Sequence, residues 1–372
     1  MDKKGAANLA LDPNLNQLGK KKEIRFGLSA VLRLGTTLWI ANDETVSLER
    51  LSFQGQEEKN GEVVYEYGEH QQFQLSRYLS LPVPPAEGKI VEVDVEGLDY
   101  RDGYLWLVGS HSLKRKKADR KGSEAENLEC LSDVSSDGNR FLLARIPMVE
   151  KNAVYTLERT TDEHGKKRTA AQLRGGSKGN DLTKELREDE HLKDFLRIPG
   201  KDNGFDIEGL AVTDDRILVG LRGPVLRGWA IILELKLKDE AEDGRPVLRL
   251  KSMKKRFLEL GGLGIRDLIV QGSDLLILAG PTMDLDGPVV VYRWEGGAGS
   301  TAKRFVFKNE LILVGEVSYG QGDDQGLDHA EGISLFSSMQ DGSDDSLLVV
   351  YDAASKSRLF GSAGVKADVL SL

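Results

Sequence analysis

The 372-residue sequence predicts an all-β protein, and within that class a β-propeller. Short runs of Val, Ile and Leu are bounded by Gly, Asp and Asn along most of the chain, which is typical of strands joined by turns. A similar pair of apolar strands also recurs several times, which is typical of a repeat architecture. The composition agrees with a soluble strand-rich protein, because 41 Gly accompany 10 Pro and 40% of the residues are hydrophobic.

The recurring unit is an apolar strand that opens with a polar or charged residue, followed by a polar turn and a second, more apolar strand. One copy reads Glu96-Gly97-Leu98-Asp99-Tyr100, then a turn, then Tyr104-Leu105-Trp106-Leu107-Val108-Gly109. Three of the four spacings between copies are close to 60 residues, which leaves room for four strands in each copy. The copies open at Ser29, Glu96, Glu208, Arg266 and Glu331.

Five copies predict five blades. A sixth, degenerate blade between residues 146 and 200 is the alternative, and an ordinary two-sheet sandwich is the competing fold. The strands are nearly continuous apolar runs, as expected when both faces of a sheet are covered. Blades packed face to face around an axis provide that cover, so the sequence favours the propeller.

The propeller is expected to be a single domain over residues 23–372, preceded by a flexible tail at 1–22. The two chain ends are expected to share a blade, because Glu23-Ile24-Arg25-Phe26 and Val365-Lys366-Ala367-Asp368-Val369-Leu370 both look like strands. Such sharing would close the ring.

Two insertions are expected within this domain. Residues 113–139 are polar and begin with a basic run, so they predict a solvated loop. Residues 160–200 predict an insertion that contains a helix near 181–196, with Asp181 as its N-cap.

The charge and the cysteine content exclude several classes of partner. With 51 Lys+Arg against 60 Asp+Glu, the net charge is −9, which does not suit a nucleic acid or an anionic membrane. The basic run near residue 114 has no interleaved aromatic residues, so it is interpreted as a loop surface. No apolar run is long enough for a membrane span and no signal peptide is visible, and the single Cys130 excludes an internal disulfide. We therefore expect a cytoplasmic protein of unknown oligomeric state.

The repeat places polar side chains at one mouth of the predicted central channel. In an up-and-down blade, the first strand begins at the edge where the second strand ends. The strand openers Glu96, Glu208, Glu331 and Arg266 should therefore meet at one mouth. They should be joined there by the residues that end the second strands, which are Asn42, Asp43, Glu44, Ser110, His111, Arg222, Gly280 and Asp352.

Three interpretations of this mouth are open. The carboxylates can form a ring of ion pairs with Arg222 and Arg266. They can instead hold Ca²⁺ or Mg²⁺, since hard cations prefer oxygen ligands, and the candidate ligands are Asp206, Glu208, Glu331, Glu96 and Asp352. The third interpretation is a catalytic pocket without metal, in which His111 or His329 acts with a carboxylate such as Glu208 as acid and base.

A polar segment just before one channel strand adds candidates for ligand binding. It runs from Pro199 to Leu210, and its partner runs from Leu221 to Trp229. Tight Gly and Pro turns there would hold side chains rigidly, although two ordinary hairpin loops have the same composition. The ligand-binding candidates are Lys201, Asp202, Asn203, Arg222 and Arg266.

The segments Ile198–Leu210 and Gly220–Gly228, together with His329-Ala330-Glu331-Gly332-Ile333, resemble the bacterial family catalogued as domain of unknown function 3616. The resemblance extends over nearly the whole chain from about residue 25 and supplies no activity. The Asp206-Ile207-Glu208-Gly209-Leu210 element is also similar to the opening motif of the propeller family called esterase-like activity of phytase. That similarity implies phosphoester or ester hydrolysis. Sugar-lactone hydrolases of the propeller class place Glu, Asn and Asp around a divalent cation, and here Glu208, Asn203 and Asp352 would take those parts.

The sequence thus predicts a polar, acidic pocket at one channel mouth. Its function would be divalent-cation-dependent hydrolysis of a phosphoester, ester or lactone, or else non-enzymatic binding of a protein or small ligand. The partners of the carboxylates discriminate between them: oxygens that converge on one point favour a metal, whereas arginines that satisfy each carboxylate favour a binding scaffold.

Overall fold

The computed structural model describes residues 1–19, 22–59, 61–84, 91–163, 165–283, 285–299, 301, 303–337 and 345–372. Over these residues the fold is all-β and β-propeller-like, with only two α-helices, Glu124–Ser132 and Asp181–Glu188. Neither helix has the length and apolar character needed to cross a membrane.

Five strands form the centre of the molecule, and we call them the inner strands. Each lies against the next in a closed cyclic order, with the fifth lying against the first. They are Leu28–Leu34, Val95–Arg101, Asp206–Val212, Gly264–Gln271 and His329–Phe336. Each inner strand begins one of the repeats found in the sequence.

Each inner strand starts a sheet whose strands run outward, and we call these sheets units 1 to 5. The second strands are Thr37–Asn42, Tyr104–Gly109, Ile217–Gly223, Asp274–Gly280 and Ser346–Asp352. The third strands are Ser47–Lys59, Leu143–Lys151, Trp229–Glu242, Val289–Trp294 and Gly364–Ser371. The outer strands are Glu62–Gln74 in unit 1, Val154–Leu157 and Ala171–Leu173 in unit 2, Arg245–Glu259 in unit 3, Ile312–Val317 in unit 4 and Lys3–Ala10 in unit 5.

The remaining elements are short. They comprise the strands Gln17–Gly19, Lys22–Glu23, Lys114–Arg115, Val134–Ser135, Thr160–Glu163, Lys166–Thr169, Gly175–Gly176, Gly179–Asn180, Phe305–Val306 and Leu359–Phe360. The 3-10 turns are Ile24–Phe26, Leu75–Arg77, Gly138–Phe141, Lys193–Arg197, Lys308–Glu310, Gly322–Asp324 and Lys356–Arg358.

The hydrophobic core divides into layers between neighbouring units. Trp106 and Val108 of unit 2 pack with Leu210 and Val219 of unit 3, for example. Equivalent buried clusters lie between units 1 and 2, 3 and 4, 4 and 5, and 5 and 1. Every unit is therefore covered on both faces, which explains why the second strands are almost continuously apolar.

The chain ends meet as the sequence analysis predicts, but through a different N-terminal segment. Lys3–Ala10 pairs antiparallel with Gly364–Ser371 and parallel with Glu62–Gln74, so it joins unit 5 to unit 1. The expectation of a flexible tail over 1–22 is wrong for this strand, because Ala7 and Leu9 are fully buried. The expected closing strand at residues 23–26 instead contains the 3-10 turn Ile24–Phe26.

The predicted insertions are present with different internal structure. The exposed segment 113–139 contains the capped helix Glu124–Ser132, which was not predicted. The helix expected near 181–196 is the shorter Asp181–Glu188, capped by Asn180 rather than Asp181, and the 3-10 turn Lys193–Arg197 follows it. Within the described residues between 146 and 200, the sheet that starts at the second inner strand takes up Val154–Leu157 and Ala171–Leu173, and no further inner strand occurs.

Candidate functional site

Each inner strand carries a β-bulge at the same position of the repeat. The pairing with the second strand skips one residue, so that residue has no partner across the ladder. A bulge re-aims the side chain of the extra residue and bends the strand. The five bulged residues, which we call the bulge ring, are Ser29, Glu96, Glu208, Arg266 and Glu331.

A second set of equivalent positions lies beside the bulge ring. In each unit, the inner-strand residue just before the bulge pairs with a residue of the second strand. The next residue along the second strand belongs to this second set. These five residues, the outer ring, are Asp43, Ser110, Arg222, Gly280 and Asp352. The strand register thus places each predicted strand opener beside the end of its own second strand. Three of the predicted strand ends, Asn42, Glu44 and His111, lie outside the outer ring.

Two buried arginines tie three units together at this mouth. Arg222 Nη1 lies 2.6 Å from Glu208 Oε1, and its other terminal nitrogen contacts Asp206. Arg266 Nη1 lies 3.0 Å from Glu208 Oε2 and 2.9 Å from Glu331 Oε1. One guanidinium of the bulge ring therefore holds carboxylates from both neighbouring units. Charge-assisted contacts of this kind are among the strongest hydrogen bonds in proteins.

The neighbouring unit contains the same motif with different partners. Asp94 corresponds to Asp206, and Arg140 Nη1 lies 2.8 Å from Asp94 Oδ2. Glu96 corresponds to Glu208, but Ser110 occupies the outer-ring position that Arg222 fills in unit 3. Within the described residues, the Glu96 carboxylate makes no hydrogen bond or ion pair, although the residue is only 8% exposed.

Asp43 of the outer ring is a second carboxylate without a hydrogen bond or ion pair among the described residues. Burial, reinforced by the charges of Asp352 and Asp94, raises its pKa well above the usual range. Burial likewise raises the pKa of Glu96, and the charges of Asp94 and Glu208 add to the effect. Both carboxylates resist ionisation because each is desolvated next to like charges.

The carboxylates that do have partners are also affected. Burial and the charge of Asp352 raise the pKa of Glu331 to about 8 despite the opposing Arg266. Burial raises the pKa of Asp206 to about 6 against the effect of Arg222. Oδ1 of Asp206 is buried and has no hydrogen-bond partner among the described residues. The mouth therefore contains more carboxyl groups than its arginines pair, and the raised pKa values favour the protonated form of those left over.

The residues at the mouth do not fit a Ca²⁺ or Mg²⁺ site. No group of three or more His, Cys, Asp or Glu side chains in the described part of the chain has an arrangement that could hold a metal ion. Ca²⁺ needs six to eight oxygen ligands, but the oxygens of Glu208 are directed at two guanidinium groups. The structure thus offers no support for the predicted metal ligands Asp206, Glu208, Glu331, Glu96 and Asp352 acting as one set.

The two candidate catalytic histidines differ in position. His111 is 4% exposed, its Nδ1 lies 2.8 Å from the carbonyl oxygen of Gly109 and its Nε2 lies 2.7 Å from Asn180 Nδ2. Burial lowers the pKa of His111 to about 4, which favours a neutral ring at pH 7, and both ring nitrogens already have a hydrogen-bond partner. His329 is partly exposed at the start of the fifth inner strand, with Nε2 3.3 Å from Asp286 Oδ1.

The predicted ligand-binding loop splits into three roles. Lys201 interacts electrostatically with Glu331 and Asp352, so it belongs to the mouth. Asp202 instead accepts a 2.8 Å hydrogen bond from Arg115 Nε of the 113–139 insertion. Asn203 accepts a 3.3 Å hydrogen bond from the Val225 amide, which joins the two loops.

Sequence reasoning did not select Asp94 and Arg140 as site residues, and it left Asp43 without a role. The signal for Asp94 was present, because Asp94-Val95-Glu96-Gly97-Leu98 repeats Asp206-Ile207-Glu208-Gly209-Leu210 almost residue for residue. Arg140 carried no such signal, since it precedes a third strand and reaches the mouth only through the fold.

Several solved structures are similar to this chain at 10–11% identity. A putative oxidoreductase (glucose dehydrogenase) from Thermus thermophilus has a TM-score of 0.31, with 92% of this chain and 96% of that chain covered. A putative 6-phosphogluconolactonase from Bacteroides uniformis has a TM-score of 0.31, with 94% and 72% covered. A mutant of Trypanosoma rangeli sialidase that displays trans-sialidase activity has a TM-score of 0.34, with 99% and 57% covered. These scores are too low to support an argument about activity.

No curated protein matches the chain. One family model does match, and it covers residues 27–368, which include every residue of the bulge ring and the outer ring. The chain therefore belongs to the family described as Protein of unknown function (DUF3616).

Proposed function

We propose that the chain is a five-bladed β-propeller that binds a small polar molecule at the mouth lined by the bulge ring and the outer ring. Five inner strands in cyclic contact, and five hydrophobic layers between units, support the blade number. Binding at one end of the central axis uses side chains from all blades at once, so a single ligand can contact residues that are far apart in sequence.

The observation that carries this proposal is the unpartnered Glu96 carboxylate. Burying a charged group without a partner is costly, and proteins usually pair such a group or remove the charge. Unit 3 shows that the glutamate of the same motif can be paired, because Glu208 contacts two arginines. A bound molecule that hydrogen-bonds to Glu96 would supply the missing partner in unit 2.

Binding is favoured over cation-dependent hydrolysis because the arginines lie where a metal ion would need oxygen ligands. Carboxylate oxygens that converge on one point would favour a metal, whereas here Arg222 and Arg266 pair with the carboxylates, which favours a binding scaffold. A scaffold of this kind needs no nucleophile and no activated water.

A thermal-shift screen tests the proposal. The panel would contain sugars, sugar lactones, phosphorylated sugars, amines and amino acids, measured with the wild type, Glu96→Gln and Asp243→Asn. Asp243 lies in an exposed turn of the unit 3 hairpin, so its variant removes one charge away from the mouth. At least one class should raise the Tm of the wild type and of Asp243→Asn but not of Glu96→Gln. The proposal fails if no class stabilises the protein, or if stabilisation is the same in all three proteins.

Hydrolysis without a metal is the second candidate, and the high pKa of Glu331 favours it. A carboxyl group with a pKa of about 8 is protonated at neutral pH, so Glu331 would be able to donate a proton to a leaving oxygen. Its test is turnover of p-nitrophenyl phosphate, p-nitrophenyl acetate and gluconolactone in EDTA. Activity that Glu331→Gln abolishes would support hydrolysis, and its absence in the wild type would remove this candidate for those substrates.

A further inference from the structure

We propose that the ligand of the mouth is an organic cation that carries a primary ammonium or guanidinium group, an inference that rests on the binding function proposed above. The argument starts from the balance of charge. Seven carboxylates interact with one another at the mouth, against four cationic side chains. The carboxylates are Asp43, Asp94, Glu96, Asp206, Glu208, Glu331 and Asp352, and the cations are Arg140, Lys201, Arg222 and Arg266.

The excess of carboxyl groups over cationic side chains is localised. Asp206, Glu208 and Glu331 share Arg222 and Arg266, and Asp94 is paired with Arg140. Glu96 and Asp43 are left without a hydrogen bond or ion pair among the described residues. They belong to adjacent units, and Asp94 interacts with both of them. The site is thus built on two neighbouring blades.

Glu96 is more than nine-tenths buried and directed at the mouth. It is 8% exposed, and the groups that interact with it include Asp94, Asp206, Glu208 and Glu331 from three units. At the equivalent bulged positions of units 3, 4 and 5, the side chain of Arg266 contacts those of Glu208 and Glu331, so the bulge at Glu96 aims its carboxyl group toward the same place. This placement distinguishes the mouth from a solvated acidic surface.

The chemistry of the ligand follows from what Glu96 and Asp43 lack. Each lacks an ion-pair partner among the described residues, so burial and the neighbouring carboxylates disfavour its ionised form. A bound cation with N–H donors would stabilise that ionised form. Ammonium and guanidinium groups provide both the charge and the donors, with two or three donors that can bind one carboxylate. A neutral polyol provides donors without charge, so it does not favour ionisation of these two carboxyl groups.

Metal ions and anions fit less well. A divalent ion would have to draw oxygens away from Arg222 and Arg266. An anion would need free donors, but the Nε atoms of Arg140, Arg222 and Arg266 that lack partners among the described residues are sealed from solvent. The accessible unpaired groups are therefore acceptors.

The test is calorimetric titration with 1,4-diaminobutane at pH 7.5 and fixed ionic strength, compared with 1,4-butanediol. The diol has the same carbon chain and two donors but no charge. The proteins are the wild type, Glu96→Gln, Asp43→Asn and the control Asp243→Asn. We expect the diamine to bind the wild type and Asp243→Asn, the diol not to bind, and each mouth variant to bind the diamine at least tenfold more weakly.

The outcomes separate this inference from the proposed binding function. If the diamine fails to bind, or binds Glu96→Gln and Asp43→Asn as tightly as it binds the wild type, the cationic ligand class is wrong. If the diol binds equally well, the mouth recognises hydroxyl donors and charge is not the determinant. A neutral or anionic compound that binds in the thermal-shift screen and depends on Glu96 would preserve the mouth as a binding site while overturning the cation. Circular dichroism of the variants confirms that each is folded.

Discussion

Glu96 and Glu208 lie at the same bulged position of adjacent inner strands, yet only Glu208 is ion-paired. Two arginines contact the Glu208 carboxylate, whereas Ser110 stands where the nearer of those arginines would be in the unit of Glu96. The same sequence motif thus occurs once with an ion-paired glutamate and once with a glutamate that has no ion pair among the described residues.

The two glutamates should respond in opposite ways to neutralisation. Glu208→Gln leaves Arg222 and Arg266 short of a buried counter-charge, so we expect the free energy of unfolding to fall by about 3 kcal/mol. Glu96→Gln replaces a carboxyl group whose ionisation is opposed by burial and by the charges of Asp94 and Glu208, so stability should rise by up to about 1 kcal/mol at pH 8. Urea denaturation at pH 8 measures both values. Equal destabilisation by the two variants would contradict the asymmetry.

Stability should decrease as the pH is raised from about 5 to about 8 in the absence of ligand. Burial raises the pKa of Glu331 to about 8, and those of Glu96 and Asp43 are raised as well. A carboxyl with a raised folded-state pKa keeps its proton while the unfolded chain has lost it, so its stabilising contribution is present at low pH and is lost as the pH approaches the folded pKa. The charged or titratable groups that act on the carboxyl groups of the mouth are Asp94, Asp206, Glu208, Asp352, Lys201, His329, Arg222 and Arg266.

Tm measured between pH 5 and pH 9 tests this expectation, with Glu331→Gln as the comparison. The variant should show a shallower decrease than the wild type because it lacks one of the titrating groups. A wild-type Tm that rises steadily over this range would show that the mouth carboxylates are ionised and well solvated.

Gly97 allows the second and third inner strands to lie close together. A Cβ atom at this position would be 2.6 Å from Cβ of Leu210 and 3.0 Å from its backbone nitrogen. Gly97→Ala should therefore destabilise the protein by about 1–3 kcal/mol, since the strands must separate. Gly176→Ala is the matched control, because nothing lies within 4 Å of its added methyl group, and its effect should stay within about 0.5 kcal/mol. Similar values for both variants would argue against close packing of the inner strands.

The N-terminal strand should be required for stability. Ala7 is fully buried between Gly364–Ser371 and Glu62–Gln74, so Ala7→Asp places a charge in the seam that joins units 5 and 1. We expect a loss of about 3 kcal/mol or more, or failure to fold. Lys4→Ser, at the exposed start of the same strand, should have little effect. If Ala7→Asp left the stability unchanged, the N-terminal strand would not be packed in the core, and the flexible tail predicted from the sequence would be correct.

The repeat was predictable because its period and its register are local properties. The five strand openers and the five second-strand ends can be identified from apolar runs and turns alone, and the fold places them together. The N-terminal strand was not predictable in this way. Its partners lie at the other end of the chain and in unit 1, and its small and polar residues gain their strand preference from that context.

The ion-pair partners of the charged groups could not be predicted from the sequence either. That Arg266 would bridge Glu208 and Glu331, and that Arg140 would reach Asp94, depends on how the units pack around the axis. The repeated Asp-x-Glu-Gly-Leu motif predicted equal roles for Glu96 and Glu208. A single difference at the outer ring, Ser110 instead of Arg222, makes those roles different.

The most direct measurement of convergence at one mouth is a double-mutant cycle between Arg266 and Glu331. These residues are 65 positions apart in the chain, and Arg266 Nη1 lies 2.9 Å from Glu331 Oε1. The variants Arg266→Met, Glu331→Gln and the double substitution should give a coupling energy of about 1–3 kcal/mol in urea denaturation, as expected for a buried contact. Stabilities that add to within about 0.5 kcal/mol would show that the two side chains do not meet, and would contradict the shared mouth.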